Sequence, residues 1–299
     1  MEESLAKAKI LFNEKRYKEV IDICQQYLNS DSSSIEALKL ISKSYLVIRN
    51  IDAAKLYLNR ILNSNPNDYE VIKDLGNLHQ VLGDIKTAKK YYQRSITLNV
   101  NYAPALTNLG ILELHNGNKD EALTLLIKAT RSEPKSAPAW INLTTGYIKN
   151  RDIRNAEIAC KRAIGINPNI FNPYFLLSKI LISQSRFEDA ITNLQKTINI
   201  KPDFAEAFFT LGEVFLTLGK IKEAKAAYQE TIKINPNSHF AYSNLSNLYK
   251  ESGELKEAEL LQNKAIILKP NVPEMHNNMG IILKDLGKIS EAESHLKKA

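Results

Sequence analysis

Proline recurs with a fixed period along this 299-residue chain. Members of the series lie 34 residues apart, or twice 34, at Pro66, Pro134, Pro168, Pro202, Pro236 and Pro270. Alanine has the same period, at Ala54, Ala88, Ala122, Ala156, Ala190, Ala224, Ala258 and Ala292. This period is typical of helical hairpins that stack on copies of themselves. The sequence therefore predicts a single array over residues 1–299, with nine repeats that begin at positions 1, 35, 69, 103, 137, 171, 205, 239 and 273.

Each repeat is predicted to form two amphipathic helices. We call the nth residue of a repeat place n. Places 4, 7, 8 and 11 lie on one face of a helix, because residues three or four apart share a face. Places 17, 24 and 28 are apolar around the alanine of place 20. The helices are expected to pack closely at place 8, which holds only small residues: Ala8, Ser42, Gly76, Gly110, Thr144, Ser178, Gly212, Ser246 and Gly280.

Glycine and proline mark the predicted helix ends. A left-handed residue would end the first helix at place 15, which is glycine in five repeats: Gly83, Gly117, Gly219, Gly253 and Gly287. Proline at place 32 prevents the second helix from continuing. Four further prolines fall in the opening turn of a first helix, where a missing N–H costs no hydrogen bond: Pro104, Pro138, Pro173 and Pro273.

The repeats resemble the tetratricopeptide repeat family, whose signature residues stand here as Trp140, Leu211, Gly212, Tyr249, Ala224 and Pro236. The resemblance covers the whole chain. It implies an all-α fold, a right-handed α-solenoid whose first helices line a concave groove. Glu113 and His79 depart from the apolar pattern at place 11, where we expect only local packing to differ. Ala299 falls inside the second helix of the ninth repeat, so that repeat is predicted to be truncated.

The sequence contains no catalytic or cofactor-binding motif of the types GxxxxGK[ST], GxGxxG, HExxH or GxSxG. The five histidines occupy five different places, so we expect no two of them to pair at a metal-ligand spacing. Cys24 and Cys160 both stand at place 24 and are expected to be small buried hydrophobes. The chain is therefore predicted not to be an enzyme and to need no cofactor, metal or small-molecule substrate.

No apolar run approaches the roughly 18 residues of a membrane span. The amino-terminal residues 1–10 lack a secretory apolar core. We therefore expect a cytoplasmic protein without a membrane span.

The net charge of +7 favours anionic partners in general. The densest basic clusters are interrupted by acidic residues, and most of their members belong to predicted second helices, at Lys86, Lys89, Lys90, Arg94, Arg154, Lys161 and Arg162. No aromatic residues are interleaved with them as a base-stacking platform. Nucleic acid is therefore an unlikely partner, and a solvated convex face explains the clusters.

Asparagine recurs at place 6, on the face of the first helices opposite the predicted core, at Asn108, Asn142, Asn244 and Asn278. An amide both donates and accepts hydrogen bonds, which suits an extended peptide backbone. The row resembles in part the asparagine ladder of the O-GlcNAc transferase repeat domain, although Leu176 and Thr210 interrupt it. The alternative is that asparagine is simply common at this place and in this chain.

Charged and aromatic residues extend the predicted groove. Basic residues stand at Lys39, Lys43, Lys73, Lys149 and Lys179, and acidic residues follow toward the carboxyl end at Glu213, Glu251 and Asp285. Phe175 and Phe209 lie between the first basic and the last acidic residues. We hypothesise an extended polypeptide with an acidic segment at the basic end and apolar side chains against the two phenylalanines.

Part of this region matches the carboxylate clamp of chaperone-binding tetratricopeptide domains. Lys73, Asn77 and Asn108 match three of the clamp's places, but Pro138 and Asn142 stand where the clamp needs two cations. A receptor for a terminal carboxylate is therefore disfavoured.

Two classes of function remain open. The first is a protein-interaction scaffold that binds an extended peptide or a partner protein in the concave groove. The second is the substrate-recruiting region of a larger glycosyl- or sulfotransferase-type enzyme. Because the array stops without a polar capping helix, we expect the native chain to continue into a further domain, or its uncapped carboxy-terminal end to self-associate.

Overall fold

The computed structural model describes the backbone of residues 2–299 and the side chains of residues 3–299. The described residues form 18 α-helices and no strand. Their bounds are α1 Glu2–Asn13, α2 Tyr17–Ser30, α3 Ile35–Val47, α4 Ile51–Ser64, α5 Tyr69–Val81, α6 Ile85–Leu98, α7 Ala103–His115, α8 Lys119–Ser132, α9 Ala137–Lys149, α10 Ile153–Ile166, α11 Phe171–Ser183, α12 Phe187–Ile200, α13 Ala205–Thr217, α14 Ile221–Ile234, α15 His239–Glu251, α16 Leu255–Leu268, α17 Pro273–Asp285 and α18 Ile289–Leu296.

The helices pair as nine helix-turn-helix hairpins, which confirms the predicted all-α solenoid architecture. Odd-numbered helices are the first helices of the repeats, and even-numbered helices are the second. The chain divides into an amino-terminal segment, residues 1–156, and a carboxy-terminal segment, residues 157–299. In the amino-terminal segment consecutive helices pack together, and first helices also contact each other, as α1 does α3 and α7 does α9. The carboxy-terminal segment repeats this arrangement, with α15 against α17.

Every first helix is followed by a residue in the left-handed conformation at place 15, two positions after its last helical residue. The φ angles lie between 59° and 86° at Lys15, Arg49, Gly83, Gly117, Arg151, Ser185, Gly219, Gly253 and Gly287. The next residue donates its N–H to a carbonyl five positions earlier, as Lys220 does to Phe215 at 2.8 Å. The glycines marked five of the nine turns. The other four were missed because a larger residue occupies the same conformation.

Prolines stand where the sequence places them. Each proline at place 32 lies two residues beyond the end of a second helix, as Pro236 does beyond Ile234. Pro104, Pro138 and Pro273 occupy the first two positions of α7, α9 and α17. The repeat boundaries read from proline therefore coincide with helix boundaries.

The small residue of place 8 lets the two helices of a hairpin approach closely. A Cβ atom added to Gly212 would lie 2.7 Å from the ring of Tyr228, which is fully buried at place 24. At Gly76 the corresponding distance to the ring of Tyr92 is 2.5 Å. Both distances are shorter than real Cβ contacts, so glycine is required opposite tyrosine.

Hydroxyl side chains at place 8 are buried and satisfied by nearby carbonyls. Thr144 donates to the Trp140 carbonyl at 2.9 Å, and Ser178 donates to that of Phe175 at 2.7 Å. Ser246 donates across the hairpin to the Ala258 carbonyl at 2.6 Å. A small polar residue therefore packs here without leaving an unpaired donor.

The two polar residues of place 11 find partners on a neighbouring second helix or in the turn that follows their own helix. Glu113 is fully buried, with its Oε1 2.7 Å from Lys89 Nζ, and its Oε2 accepts a hydrogen bond from Asn118 at 2.6 Å. The His79 ring stacks on Tyr91 at a centroid distance of 5.3 Å. The departures from the repeat pattern change local packing and leave the hairpins intact.

The substitution Gly212→Ala tests the close approach at place 8. We expect it to reduce the free energy of unfolding by about 1–3 kcal/mol, because the added methyl group overpacks against Tyr228. The control Gly165→Ala places a methyl group in open space on α10 and should be neutral or stabilising by up to about 1 kcal/mol. Chemical denaturation measures both values. A cost no greater for Gly212→Ala than for the control would contradict the packing explanation.

The substitution Ser185→Gly tests the strain at place 15. Glycine adopts the left-handed conformation freely, so we expect a gain of up to about 1 kcal/mol in stability. The reverse change, Gly219→Ala in the equivalent turn, should cost about 1 kcal/mol. Thermal and denaturant melting check the two signs, and shifts in the same direction would refute the assignment.

Candidate functional site

All the predicted groove residues lie on first helices. These are Lys39 and Lys43 on α3, Lys73 and Asn77 on α5, Asn108 on α7, Asn142 and Lys149 on α9, Phe175 and Lys179 on α11, Phe209 on α13, Asn244 on α15, and Asn278 on α17. We call the surface formed by places 2, 5, 6, 9, 12 and 13 of these helices the first-helix face.

Three of the four asparagines at place 6 use their amides within the chain. Asn108 Nδ2 donates to Asn77 Oδ1 at 2.6 Å, so places 6 and 9 of neighbouring first helices are adjacent. Asn244 Nδ2 lies 3.3 Å from the Tyr228 hydroxyl, and Asn278 Nδ2 lies 3.4 Å from Ser243 Oγ. Within residues 3–299, Asn142 alone of the four makes no side-chain hydrogen bond, which leaves its amide available to a ligand.

A carboxylate of the chain itself contacts the residues that match the carboxylate clamp. Asp74 is only 4% exposed, and its Oδ1 forms an ion pair with Lys73 Nζ. The same oxygen lies 3.4 Å from Asn77 Nδ2, and Asn77 in turn accepts from Asn108. Lys73, Asn77 and Asn108 thus lie together in one cluster with a carboxylate of the chain itself.

The other predicted cations differ in whether they form ion pairs within the chain. Lys39 Nζ lies 2.9 Å from Asp68 Oδ2 and 2.8 Å from Glu70 Oε2. Its pKa is raised above the ordinary value because bonds to Glu70 and Asp68 outweigh the opposing effect of burial. Within residues 3–299, Lys43 and Lys149 form no ion pair. The expected basic end of the groove is therefore partly neutralised by its own acidic residues.

The carboxy-terminal segment contains a concavity between α11 and α13, with a volume of about 390 Å³. Phe175, Lys179 and Ile182 line it from α11. From α13 it is lined by Glu206, Phe209, Thr210 and Glu213. Spacings of three, four and seven residues place each set along one face of its helix. The two first helices therefore form opposite walls.

Aromatic packing fixes one wall of the concavity. Phe175 is 6% exposed, and its ring meets Phe204 edge-on at a centroid distance of 4.9 Å. Lys179 Nζ lies 5.2 Å from the centroid of the same Phe175 ring. Phe175 thus contributes a rigid floor, not the exposed contact that the sequence predicted, while the half-buried Phe209 remains accessible.

The other wall carries two carboxylates. Burial by the surrounding walls raises the pKa of Glu213, and Lys179 opposes this shift. Glu213 and Glu206 are nevertheless both exposed to solvent. Within residues 3–299, neither Glu206 nor Glu213 forms an ion pair or a side-chain hydrogen bond.

A smaller concavity of about 130 Å³ lies on the other side of Phe209, between α13 and α15. Glu206 and Phe209 also line this space, together with Phe240, which is 54% exposed. Phe209 therefore separates two adjacent pockets of the first-helix face.

Comparison with known families decides the identity of the repeats. Residues 30–261 match the family described as "Cilia and flagella-associated protein 70 C-terminal domain", a tetratricopeptide repeat family. The chain belongs to this family. No curated protein matches the sequence significantly.

Solved structures of other tetratricopeptide proteins share the fold. The APC/C hetero-tetramer Cut9-Hcn1 superposes with a TM-score of 0.69 at 17% identity, over 94% of this chain and 55% of that one. This chain thus spans about half the length of that protein chain. The Pseudomonas aeruginosa protein pilF matches with a TM-score of 0.59 at 20% identity, over 64% of this chain and 88% of its own.

A third structure is described as "YrrB: a TPR protein with an unusual peptide-binding site". It matches with a TM-score of 0.51 at 20% identity, over 62% of this chain and 95% of its own. At these identities the three likenesses show the fold alone.

The structure corrects one expectation about the histidines of this family member. His276 Nδ1 and His295 Nδ1 lie 2.9 Å apart, although the sequence predicted no histidine pair. They occupy places 4 and 23, which meet because α17 packs against α18. His276 Nε2 also lies 2.7 Å from the Pro270 carbonyl oxygen. The equivalent Trp140 donates its ring N–H to the Pro134 carbonyl oxygen at 2.9 Å. The residues of the described chain contain no group of three or more metal-ligating side chains.

Sequence reasoning also missed Asp74 and Glu206 as parts of the first-helix face. Glu206 could have been found, since it lies three residues before Phe209 and seven before Glu213 on one helical stripe. Asp74 gave no such signal because an acidic residue next to Lys73 reads as an ordinary surface pair.

Among the described residues no helix is long and apolar enough to cross a membrane.

The pair Lys73–Asp74 is mostly buried, with side-chain exposures of 13% and 6%, which makes it testable. We expect Asp74→Leu alone to cost about 3 kcal/mol or more, because it leaves a buried cation without a partner. The double variant Lys73→Met/Asp74→Leu should recover most of that loss. Urea unfolding of the four members of the cycle measures the coupling.

Lys233→Met supplies the control for this cycle. It breaks the exposed pair that Lys233 forms with Glu230 on α14, and it should cost less than about 1 kcal/mol. If Asp74→Leu cost no more than this control, the internal-carboxylate assignment would be wrong.

Proposed function

We propose that this chain is a protein-interaction scaffold that binds an extended peptide segment of a partner protein along the first-helix face. The observation that carries the proposal is the 390 Å³ concavity between α11 and α13. It is lined by Phe175, Lys179 and Phe209, three of the residues selected from the sequence. Pockets that combine apolar walls with a few polar groups are typical binding sites.

Features of the amino-terminal segment support the same proposal. Asn142 offers an unoccupied amide, which bonds equally well to the N–H and C=O groups of a peptide. Lys43 and Lys149 add cations that no residue of the described chain neutralises. An acidic stretch of the partner would complement them. A terminal carboxylate is a poorer candidate, because Asp74 already fills the clamp-like cluster.

Binding of nucleic acid is less well supported. Lys161 Nζ lies 2.7 Å from Glu157, and Lys89 is paired with the buried Glu113. Arg94 donates to the Pro66 carbonyl at 2.7 Å. The basic clusters of α6 and α10 thus have several of their charges engaged within the chain.

The substrate-recruiting role within a larger transferase, cytoplasmic localisation and self-association remain predictions.

A phage-displayed library of random twelve-residue peptides tests the proposal. The wild-type chain should retain a restricted set of peptides. The variant Thr210→Trp fills the α11–α13 concavity with an indole ring and should lose most of that set. The control Thr192→Trp adds the same ring to an exposed position on the second helix α12 and should bind like wild type. Circular dichroism verifies that both variants are folded.

Two results would overturn the proposal. The wild-type chain would retain no peptide above background, or the folded Thr210→Trp variant would retain the same peptides as wild type with unchanged affinity. The first result would show that the first-helix face does not bind extended peptides, and the second that the concavity on which the proposal depends is not the binding site.

A further inference from the structure

The concavity between α11 and α13 combines an aromatic ring with two carboxylates. Glu206, Phe209 and Glu213 form one stripe of α13, with the aromatic ring between the two carboxylates. At the standard helical rise the two glutamates are about 10 Å apart along the axis. The space between the helices thus offers an apolar surface with negative charge near both of its ends.

We propose that this concavity receives an arginine side chain of the bound peptide, with the guanidinium group against the Phe209 ring and paired with Glu213. This inference rests on the proposed peptide-binding function and names the side chain that the site selects. It replaces the expectation of an apolar side chain at Phe175 and Phe209.

Charge favours a cation at this position. Glu206 and Glu213 have no ion-pair partner within residues 3–299. Lys179 carries the only positive charge lining the concavity, and its Nζ is held over the Phe175 ring on the opposite wall. The lining of the concavity therefore has a net negative charge.

The position of Glu213 at the concavity strengthens this preference. The surrounding walls raise the pKa of Glu213, while its outer side stays exposed to solvent. A guanidinium ion would donate to the carboxylate, and such charge-assisted bonds are stronger than neutral ones. An acidic ligand side chain would instead meet two carboxylates.

The shape of the concavity favours arginine over lysine. A guanidinium is planar and weakly hydrated, and it stacks on an aromatic ring while its edge pairs with a carboxylate. Phe209 is half-buried and its ring is accessible from the concavity, while Ile182 supplies apolar surface for the aliphatic stem. Thr210 keeps a hydroxyl at the same wall, and it makes no side-chain hydrogen bond within residues 3–299.

The peptides recovered from the phage library provide the probe. We expect arginine to be enriched among them. One recovered arginine peptide is then synthesised with capped ends, together with versions that carry lysine, citrulline or glutamate at that position. Citrulline keeps the shape of arginine but has no charge. Fluorescence anisotropy should show affinity falling in the order arginine, lysine, citrulline, glutamate, with about a tenfold loss for citrulline.

Three protein variants assign the recognition to this site. Glu213→Gln should weaken the arginine peptide about tenfold and leave the citrulline peptide nearly unchanged. Lys179→Met removes the repelling charge and should strengthen the arginine peptide about threefold. Glu223→Gln, at an exposed glutamate in the first turn of the second helix α14, is the matched control and should not change either affinity.

The outcomes separate this inference from the proposed function. Peptides that bind the wild-type chain, are lost in the Thr210→Trp variant and lack basic residues would overturn the arginine pocket but keep the peptide-binding function. Peptides that are weakened by Lys179→Met would do the same, because they would show that the site prefers an acidic ligand. Failure of the wild-type chain to bind any peptide would overturn both.

Discussion

The close contact between the two helices of each hairpin is the interaction on which the rest of this structure depends. Each hairpin has one small residue at place 8 and a partner at place 24, and the bulk of the two is matched. Glycine lies opposite tyrosine in the hairpins of Gly76 and Gly212, and the ring atoms fill the space that a Cβ would occupy. Because the interior has almost no spare volume, the spacing of the helices is fixed at this point. Within each of these hairpins, the second helix thereby holds the first helix at a fixed distance.

The side chains of the first-helix face differ from repeat to repeat. Asn77 and Asn108 join neighbouring first helices through a hydrogen bond in the amino-terminal segment. In the carboxy-terminal segment, a concavity lies between α11 and α13 beside Phe209. The chemistry of each position along the face therefore depends on a few side chains at places 2, 5, 6 and 9, while the backbone beneath them stays the same.

The sequence predicted the repeats well because their determinants are local. A proline or a small residue has the same steric effect wherever the repeat places it, so helix ends and the core stripe could be read directly. Arg49 and Ser185 were not identified as left-handed residues, since nothing in their chemistry requires that conformation. The contact between His276 and His295 was also missed, because it depends on which places of two helices meet in space.

Predictions about the face were less complete for a physical reason. Residue types such as lysine and asparagine indicate what a side chain can bind, but not whether the chain already binds it. Lys39 and Asn108 are engaged by residues about 30 positions away, and single-helix patterns do not reveal such partners. The stripe of Glu206 and Glu213 was visible in the sequence, yet its meaning required the opposite wall formed by α11.

Asp74 shows how little separates a closed polar cluster from an open one. Its carboxylate contacts Lys73 and Asn77, two residues that match the carboxylate clamp, and it belongs to the same helix as they do. Since a covalently attached anion is always present at high effective concentration, a free one competes poorly for the same donors. At this repeat the chain therefore satisfies its own hydrogen-bond donors with an internal carboxylate. The ligands that such a surface can bind depend on side chains that are already paired within the chain as well as on those that are free.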